Sequence, residues 1–301
     1  MENEKWPKHF NKSNEYLLAI QYDITLSCNN RCSYCCRLDL LDNKKLFNKE
    51  IFDEVIKQTL DFTNNNIHYI THIELLGGDP LVVIDETIEF IKKLQHPRIK
   101  VTITTNLNFN PEGETIQKLL TAKNKYNFEL RCSWHESSNE DWLKTNVKTF
   151  EDILKIAFLM SDTNYLKVNE IVDWALKNTI VNYEVTSIRL GNIITYTDYE
   201  SEIYKKIRFH DRCVDTINDI DGKILSKADL FFAKNISKSF RTICKFSHFD
   251  VKFDGRILSA CEYSITNNNY HIKNGFPIKD VFCHEKVCMC DTQLYKKLYK
   301  K

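Results

Sequence analysis

Residues 17–36 read LLAIQYDITLSCNNRCSYCC, and this stretch decides how the rest of the chain is read. Its first ten residues are mostly apolar, β-branched or aromatic, which predicts a buried strand over 17–26. The strand runs directly into Cys28, Cys32 and Cys35, spaced C-x3-C-x2-C. Three thiolates on one short loop can bind three irons of a cubane cluster. The fourth iron then lacks a cysteine and stays open to an outside ligand, the property that separates catalytic from structural metal sites. A structural zinc site or a ferredoxin-type electron carrier is the alternative reading, although zinc usually takes paired C-x2-C elements and bacterial-type ferredoxins use a different run.

Outward from this loop the pattern alternates. Helical spacing of apolar residues covers 48–62, with Asn48 as N-cap. A strand is predicted over 68–76, a helix over 84–94 and a strand over 98–105. A helix opened by Pro111 covers 111–120, and a strand covers 127–134. A helix is read over 149–160, a strand over 165–172, a short helix over 173–180 and a strand over 182–190. Alternation of this kind implies βαβ units and a parallel sheet. The expected fold class is α/β, a partial (β/α)6 TIM-type barrel with a small cysteine-rich C-terminal domain. The divisions are a polar leader over 1–15, the barrel over 16–205 and the cysteine-rich domain over 206–301. Right-handed crossovers bring all strand C-termini to one rim, where barrels of this kind carry their chemistry.

Composition narrows the function. The chain has 301 residues, with 42 basic against 41 acidic side chains and a net charge of +1. That argues against affinity for a polyanion through bulk charge, so nucleic acid is not the expected partner. No run of roughly 18 apolar residues exists, so no membrane span is expected. The N-terminus MENEKWPKHF lacks the apolar region of a signal peptide, so a cytoplasmic location is expected. Eleven cysteines in such a chain read as metal ligands before disulfides. Cys36, Cys132 and Cys213 have no place in a ligand pattern and read as buried or spare thiols.

Other strand ends carry suggestive residues. Gly77-Gly78, two of only seven glycines, are followed by Asp79-Pro80. Glycine allows close backbone approach to a ligand, while a bare strand-to-helix turn is the plain alternative. Asn106 ends the third strand. Ser133 and His135 share one face of the fourth, opposite Cys132 and Trp134. Asn169 and Glu170 are placed in a fifth strand and Arg189 in a sixth, all near the rim.

Taken together, the C-x3-C-x-aromatic-C loop after the first strand, with Tyr34 in the aromatic slot, resembles the radical S-adenosylmethionine (SAM) superfamily. Gly77-Gly78-Asp79-Pro80 is similar to that family's GGEP motif, which receives the SAM amino group; Asp in place of Glu is a departure. Asn106 stands where the family often has a T-N-G-like turn that meets the ribose or carboxylate. Ser133 and His135 resemble an S-aromatic-H segment, with Ser133 on the ribose or carboxylate and His135 reaching substrate as the catalytic candidate. Arg189 would pair with the SAM carboxylate. The resemblance implies a 4Fe-4S cluster on Cys28, Cys32 and Cys35, SAM at the open iron, and homolysis to a 5′-deoxyadenosyl radical that abstracts a substrate hydrogen. It implies an oxidoreductase or a maturase of a peptide or small molecule, with a flavodoxin- or ferredoxin-type donor. The absence of a docking segment in the leader weakens the peptide case.

Cys244, Cys261, Cys283, Cys288 and Cys290 follow the spacing C-x16-C-x21-C-x4-C-x-C, with a hairpin over 249–261 turned at Asp254-Gly255. This resembles a SPASM or twitch auxiliary-cluster domain. Seven ligands are expected in the full pattern and five are present, which favours one auxiliary 4Fe-4S cluster on Cys244, Cys261, Cys288 and Cys290, with Cys283 as alternate. A structural zinc knot satisfies the same cysteines. A non-catalytic iron–sulfur or zinc protein for electron transfer or interaction is the alternative function.

Overall fold

The computed structural model describes residues 16–32, 35, 46–160, 164–187, 216–218, 224–226, 243–246, 248–259 and 270–282. Six strands follow one another in chain order across one sheet: β1 (Tyr16–Thr25), β2 (Tyr69–Gly77), β3 (Ile99–Thr105), β4 (Glu129–Trp134), β5 (Leu154–Met160) and β6 (Asn182–Ser187). Every neighbouring pair among them is parallel. The crossovers are α1 (Lys49–Asn65), α2 (Ile84–Lys93), α3 (Glu114–Lys123), α4 (Glu140–Thr149) and α5 (Tyr165–Asn178). This is the expected α/β partial barrel.

Alternation fixes the faces. Leu18, Ile20, Tyr22 and Ile24 of β1 are buried, as are Ile73 and Leu75 of β2 and Leu130, Cys132 and Trp134 of β4. Phe52 and Val55 of α1 and Phe90 and Ile91 of α2 are buried in the same core. Tyr22 meets Phe90 at 5.8 Å between ring centres, and Phe52 meets Phe90 edge-on at 5.6 Å. Each such side chain contributes about 1.5–3 kcal/mol relative to exposure. The intervening residues face the lumen.

Three sequence expectations are corrected. Residues 149–160 are not a helix; they end α4 and form β5. Both faces of β5 are covered, with Ile156, Ala157 and Phe158 all buried, so its apolar run is continuous and periodicity cannot separate strand from helix. Residues 165–172 are not a strand; they open α5, whose buried Val168, Ile171, Val172 and Ala175 recur at helical spacing. Pro111 does not open α3. Asn110 Oδ1 accepts from Glu112 N at 3.1 Å and Asn110 O from Gly113 N at 2.9 Å, so Pro111 sits inside a turn and the helix starts after Gly113. Helix α4 is also absent from the sequence reading, although Asn139 caps it through Asp141 N and Trp142 N at 3.1 Å each.

Beyond β6 the described strands are β7 (Thr216–Asn218), β8 (Ile224–Ser226), β9 (Ile243–Phe246), β10 (His248–Val251), β11 (Ile257–Ser259) and β12 (Lys279–Phe282). β7 pairs with β8, and β9 with β12, both antiparallel. The expected hairpin is present as β10 and β11. It also extends the barrel sheet, because β10 lies parallel to β1 from Ala19↔His248 to Tyr22↔Val251. Lys252 reaches Asp23 of β1 at 3.6 Å, and Asn48 Nδ2 donates to Phe253 O at 3.2 Å. No helix among the described residues is long and apolar enough to cross a membrane.

Candidate active site at the strand ends

The parallel order of β1 to β4 puts the loops after them on one rim. The loop after β1 carries Cys28, Cys32 and Cys35, all half-buried and none in a disulfide. It is held by short-range bonds. Ser27 N donates to Thr25 Oγ1 at 3.1 Å, Thr25 Oγ1 to Leu46 O at 2.6 Å, and Cys35 N to Cys32 O at 3.0 Å. Arg31 donates to Cys28 O at 2.7 Å. Two donors meet the Cys28 sulfur: Asn30 N at 3.4 Å and Asn106 Nδ2 at 3.6 Å. Burial pushes the Cys28 thiol up to about 11, against the Asn30 N–H. The thiol therefore keeps its proton until a metal displaces it.

Gly77-Gly78 brace this loop. Gly78 N donates to Thr25 O at 2.8 Å and Asp79 N to Ser27 O at 2.7 Å. A Cβ on Gly77 would lie 2.0 Å from Thr25 O, and one on Gly78 would lie 2.0 Å from Ser27 O. Gly77 also has φ +122°, in the region that favours glycine. The close approach these glycines permit is to the cysteine loop itself. The Asp79 carboxylate points inward and is 1% exposed. Its oxygens accept from Leu81 N at 2.9 Å, Thr105 Oγ1 at 2.9 Å and Asn106 N at 2.7 Å. Burial raises its pKa to about 6, opposed by the N–H groups of Asn106 and Leu81 and the Thr105 hydroxyl. Asp79 thus ties the end of β2 to the end of β3.

Asn106 belongs to a lattice of amides. Its Nδ2 also donates to Asn29 Oδ1 at 2.8 Å, and its Oδ1 accepts from Asn108 N at 2.8 Å. Asn29 Nδ2 donates to Asn108 O at 2.7 Å, and Asn108 Nδ2 donates to Asn30 Oδ1 at 2.8 Å. Asn108 Oδ1 accepts from Asn139 N at 3.0 Å. Cys32 Sγ lies 3.8 Å from Ser137 Oγ. The loops after β1, β3 and β4 are therefore one connected surface. The sequence reading took Asn106 alone from this set.

At the end of β4, Ser133 and the next alternate residue, His135 just past the strand, share the half-buried side, while Cys132 and Trp134 are buried behind it. Burial lowers His135 to about 4, so its imidazole is neutral near pH 7. Below them lies a polar girdle that sequence reasoning missed, with one side chain from each of the six strands. Gln21 Nε2 donates to Glu74 at 3.2 Å, and the Thr104 hydroxyl donates to the same carboxylate. Arg131 lies 3.9 Å from Glu74 and pairs closely with Glu184, which Lys155 meets at 2.7 Å. Burial alone would raise Glu184, but Arg131 and Lys155 hold it down at about 2. Glu74 is likewise held below the usual range against its burial, chiefly by Arg131. The available signal was alternation, since His72 and Glu74, and Arg131, Ser133 and His135, occupy every second position.

Asn169 and Glu170 do not join the rim, a correction that follows from α5 replacing the predicted strand. Glu170 is exposed on that helix and pairs with Lys167 at 3.1 Å. Cys244 lies in β9 opposite Val281. Tyr34, Arg189, Cys36, Cys213, Cys261, Cys283, Cys288 and Cys290 lie outside the described residues.

Among the described residues no three His, Cys, Asp or Glu side chains are gathered tightly enough to hold a metal ion. The donor set still suits an iron–sulfur cluster in kind: three thiols on one loop, with N–H donors already turned to the Cys28 sulfur.

Comparison with known proteins identifies the family and the fold. Residues 22–200 match the Radical SAM superfamily. The radical SAM cyclopropyl synthase TigE of Paramaledivibacter caminithermalis is 27% identical over 244 residues, which cover 70% of this chain and 48% of TigE. The chain thus spans about half the length of that relative. Among solved structures, anSMEcpe with bound AdoMet and Cp18Cys peptide superposes with a TM-score of 0.54 at 15% identity, over 86% of this chain and 78% of that one. Streptococcus suis SuiB bound to S-adenosylmethionine gives 0.54 at 14% identity, over 95% and 64%. These two likenesses concern the fold.

Proposed function

The chain belongs to the radical SAM superfamily, and from that premise we propose that it is an enzyme acting on a peptide or small molecule by hydrogen abstraction. A 4Fe-4S cluster held by Cys28, Cys32 and Cys35 would supply the electron that cleaves SAM to methionine and a 5′-deoxyadenosyl radical. The observation that carries the reading is the junction of the cysteine loop with the β2, β3 and β4 ends through Gly78, Asn106 and Ser137.

The chain's own residues hold and shape the site. The three thiols bind iron after losing their protons. Gly77, Gly78 and Asp79 set the loop's height above the sheet, and their backbone faces the SAM amino group. Ser133 contacts the ribose or carboxylate, with Tyr34, Asn106 and Arg189 as further SAM contacts. Neutral His135 faces substrate as the catalytic candidate, its ring offering one hydrogen-bond donor and one acceptor. The girdle of Glu74, Arg131, Lys155 and Glu184 forms a charge-balanced floor, and substrate rests above it. Cys244, Cys261, Cys288 and Cys290, with Cys283 as alternate, hold one auxiliary 4Fe-4S cluster in a unit spanning 206–301. A flavodoxin- or ferredoxin-type protein delivers the electron, in a cytoplasmic setting that keeps the thiols reduced. The neighbour solved with AdoMet and a Cp18Cys peptide supports keeping a peptide among the substrates.

Anaerobic reconstitution with iron and sulfide tests this. SAM with dithionite should yield 5′-deoxyadenosine, and Cys32→Ala should abolish it. A protein that retains zinc and leaves SAM intact defeats the proposal.

A further inference from the structure

The amide lattice fixes which end of each asparagine faces the cysteine loop. A backbone N–H can only donate, so Asn139 N identifies the Asn108 atom it meets as Oδ1. The other end of Asn108 is then an NH2 group, and it donates to Asn30 Oδ1. The Asn30 amide nitrogen is thereby turned the other way. It is buried without a chain acceptor, in a residue only 6% exposed. A second chain of logic orients Asn106. Asn108 N donates to Asn106 Oδ1, so Asn106 presents its NH2 group to Asn29 Oδ1 and to the Cys28 sulfur.

Two buried amides of the lattice are thus locked as donors: Asn106 meets the Cys28 sulfur, and the Asn30 amide, two residues along the loop from Cys28, lacks an acceptor. Burying an N–H without a partner is costly, and native folds rarely retain one. The Asn30 backbone N–H already reaches the Cys28 sulfur.

We propose that Asn30 and Asn106 are hydrogen-bond donors to the sulfur of the metal site, Asn106 to the Cys28 thiolate and the Asn30 side chain to a sulfur supplied with the metal. The inference rests on reading Cys28, Cys32 and Cys35 as cluster ligands. Donors to sulfur withdraw electron density and favour the more negative, reduced form, so they raise the reduction potential. Through these sulfur contacts both asparagines set how readily the site accepts an electron from an outside donor, a role for Asn106 beside its contact with SAM. Asn29, Asn108 and Asn139 keep the two amides in orientation.

The test is an EPR-monitored redox titration of the reconstituted full chain, following the signal that responds to added SAM. Asn30→Ala and Asn106→Ala should each shift the midpoint to more negative potential, with a several-fold smaller reduced fraction at the wild-type midpoint. Unchanged midpoints at wild-type iron content overturn the inference. A second measurement needs no variant. Wild-type protein enriched in 15N-asparagine should show 15N and exchangeable-proton couplings to the reduced cluster by pulsed EPR, and their absence overturns it equally. If the wild-type chain assembles no cluster, the reading of the cysteine loop falls and takes this inference with it, a result distinct from an unchanged midpoint.

Discussion

A methyl group on Gly78 would meet the Ser27 carbonyl oxygen at 2.0 Å, and a carbonyl held in a strand-end turn cannot retreat as a flexible side chain would. Gly78→Ala should therefore lower the urea midpoint by an amount equal to about 1–3 kcal/mol. It should also push the cysteine loop away from the β2 end; a midpoint equal to wild type counts against the close approach. The sequence flagged these glycines as unusual in a glycine-poor chain, but the partner it suggested was a ligand. The fold supplies another partner, because Thr25 and Ser27 leave β1 beside them. Asp79 shows the same limit. Its place in a motif was legible, whereas the inward turn of its carboxylate onto Leu81, Thr105 and Asn106 depends on β3 lying alongside.

At the scale of elements, strands whose inner and outer faces differ were readable. In β2, buried Thr71, Ile73 and Leu75 alternate with less buried neighbours. β5 was misread because both its faces are covered, which erases the period. The polar girdle is a property of six strands in register, so no single strand reveals it. Its charges yield a pH prediction. Glu184 sits well below the ordinary carboxylate range, at about 2, so it contributes stability that is complete above about 4.5 and is lost as pH falls through 2. Glu184→Gln should flatten the decline in urea midpoint across that acid window. At neutral pH it should cost up to roughly 3 kcal/mol, by leaving Arg131 and Lys155 without their shared carboxylate. A variant with the wild-type acid limb rejects this assignment.

At the scale of the molecule, the hairpin beyond residue 205 is joined to the barrel. β10 completes the hydrogen bonding of β1, and Phe276 meets both Phe249 at 5.8 Å and Phe62 at 6.3 Å. Whether the C-terminal cysteines add a second cluster is answered by counting: about eight irons per chain for two cubanes against about four for one. The expected count is eight, falling to four when Cys244, Cys261, Cys288 and Cys290 are replaced together; four in the wild type removes the auxiliary cluster. By itself the sequence determined the α/β alternation, the cysteine loop and its place after β1, because these rest on local period and spacing. The amide lattice, the inward Asp79, the girdle and the docking of β10 were decided by tertiary structure alone. Each joins residues dozens to hundreds of positions apart, and only the closing of the sheet brings such residues within hydrogen-bonding reach.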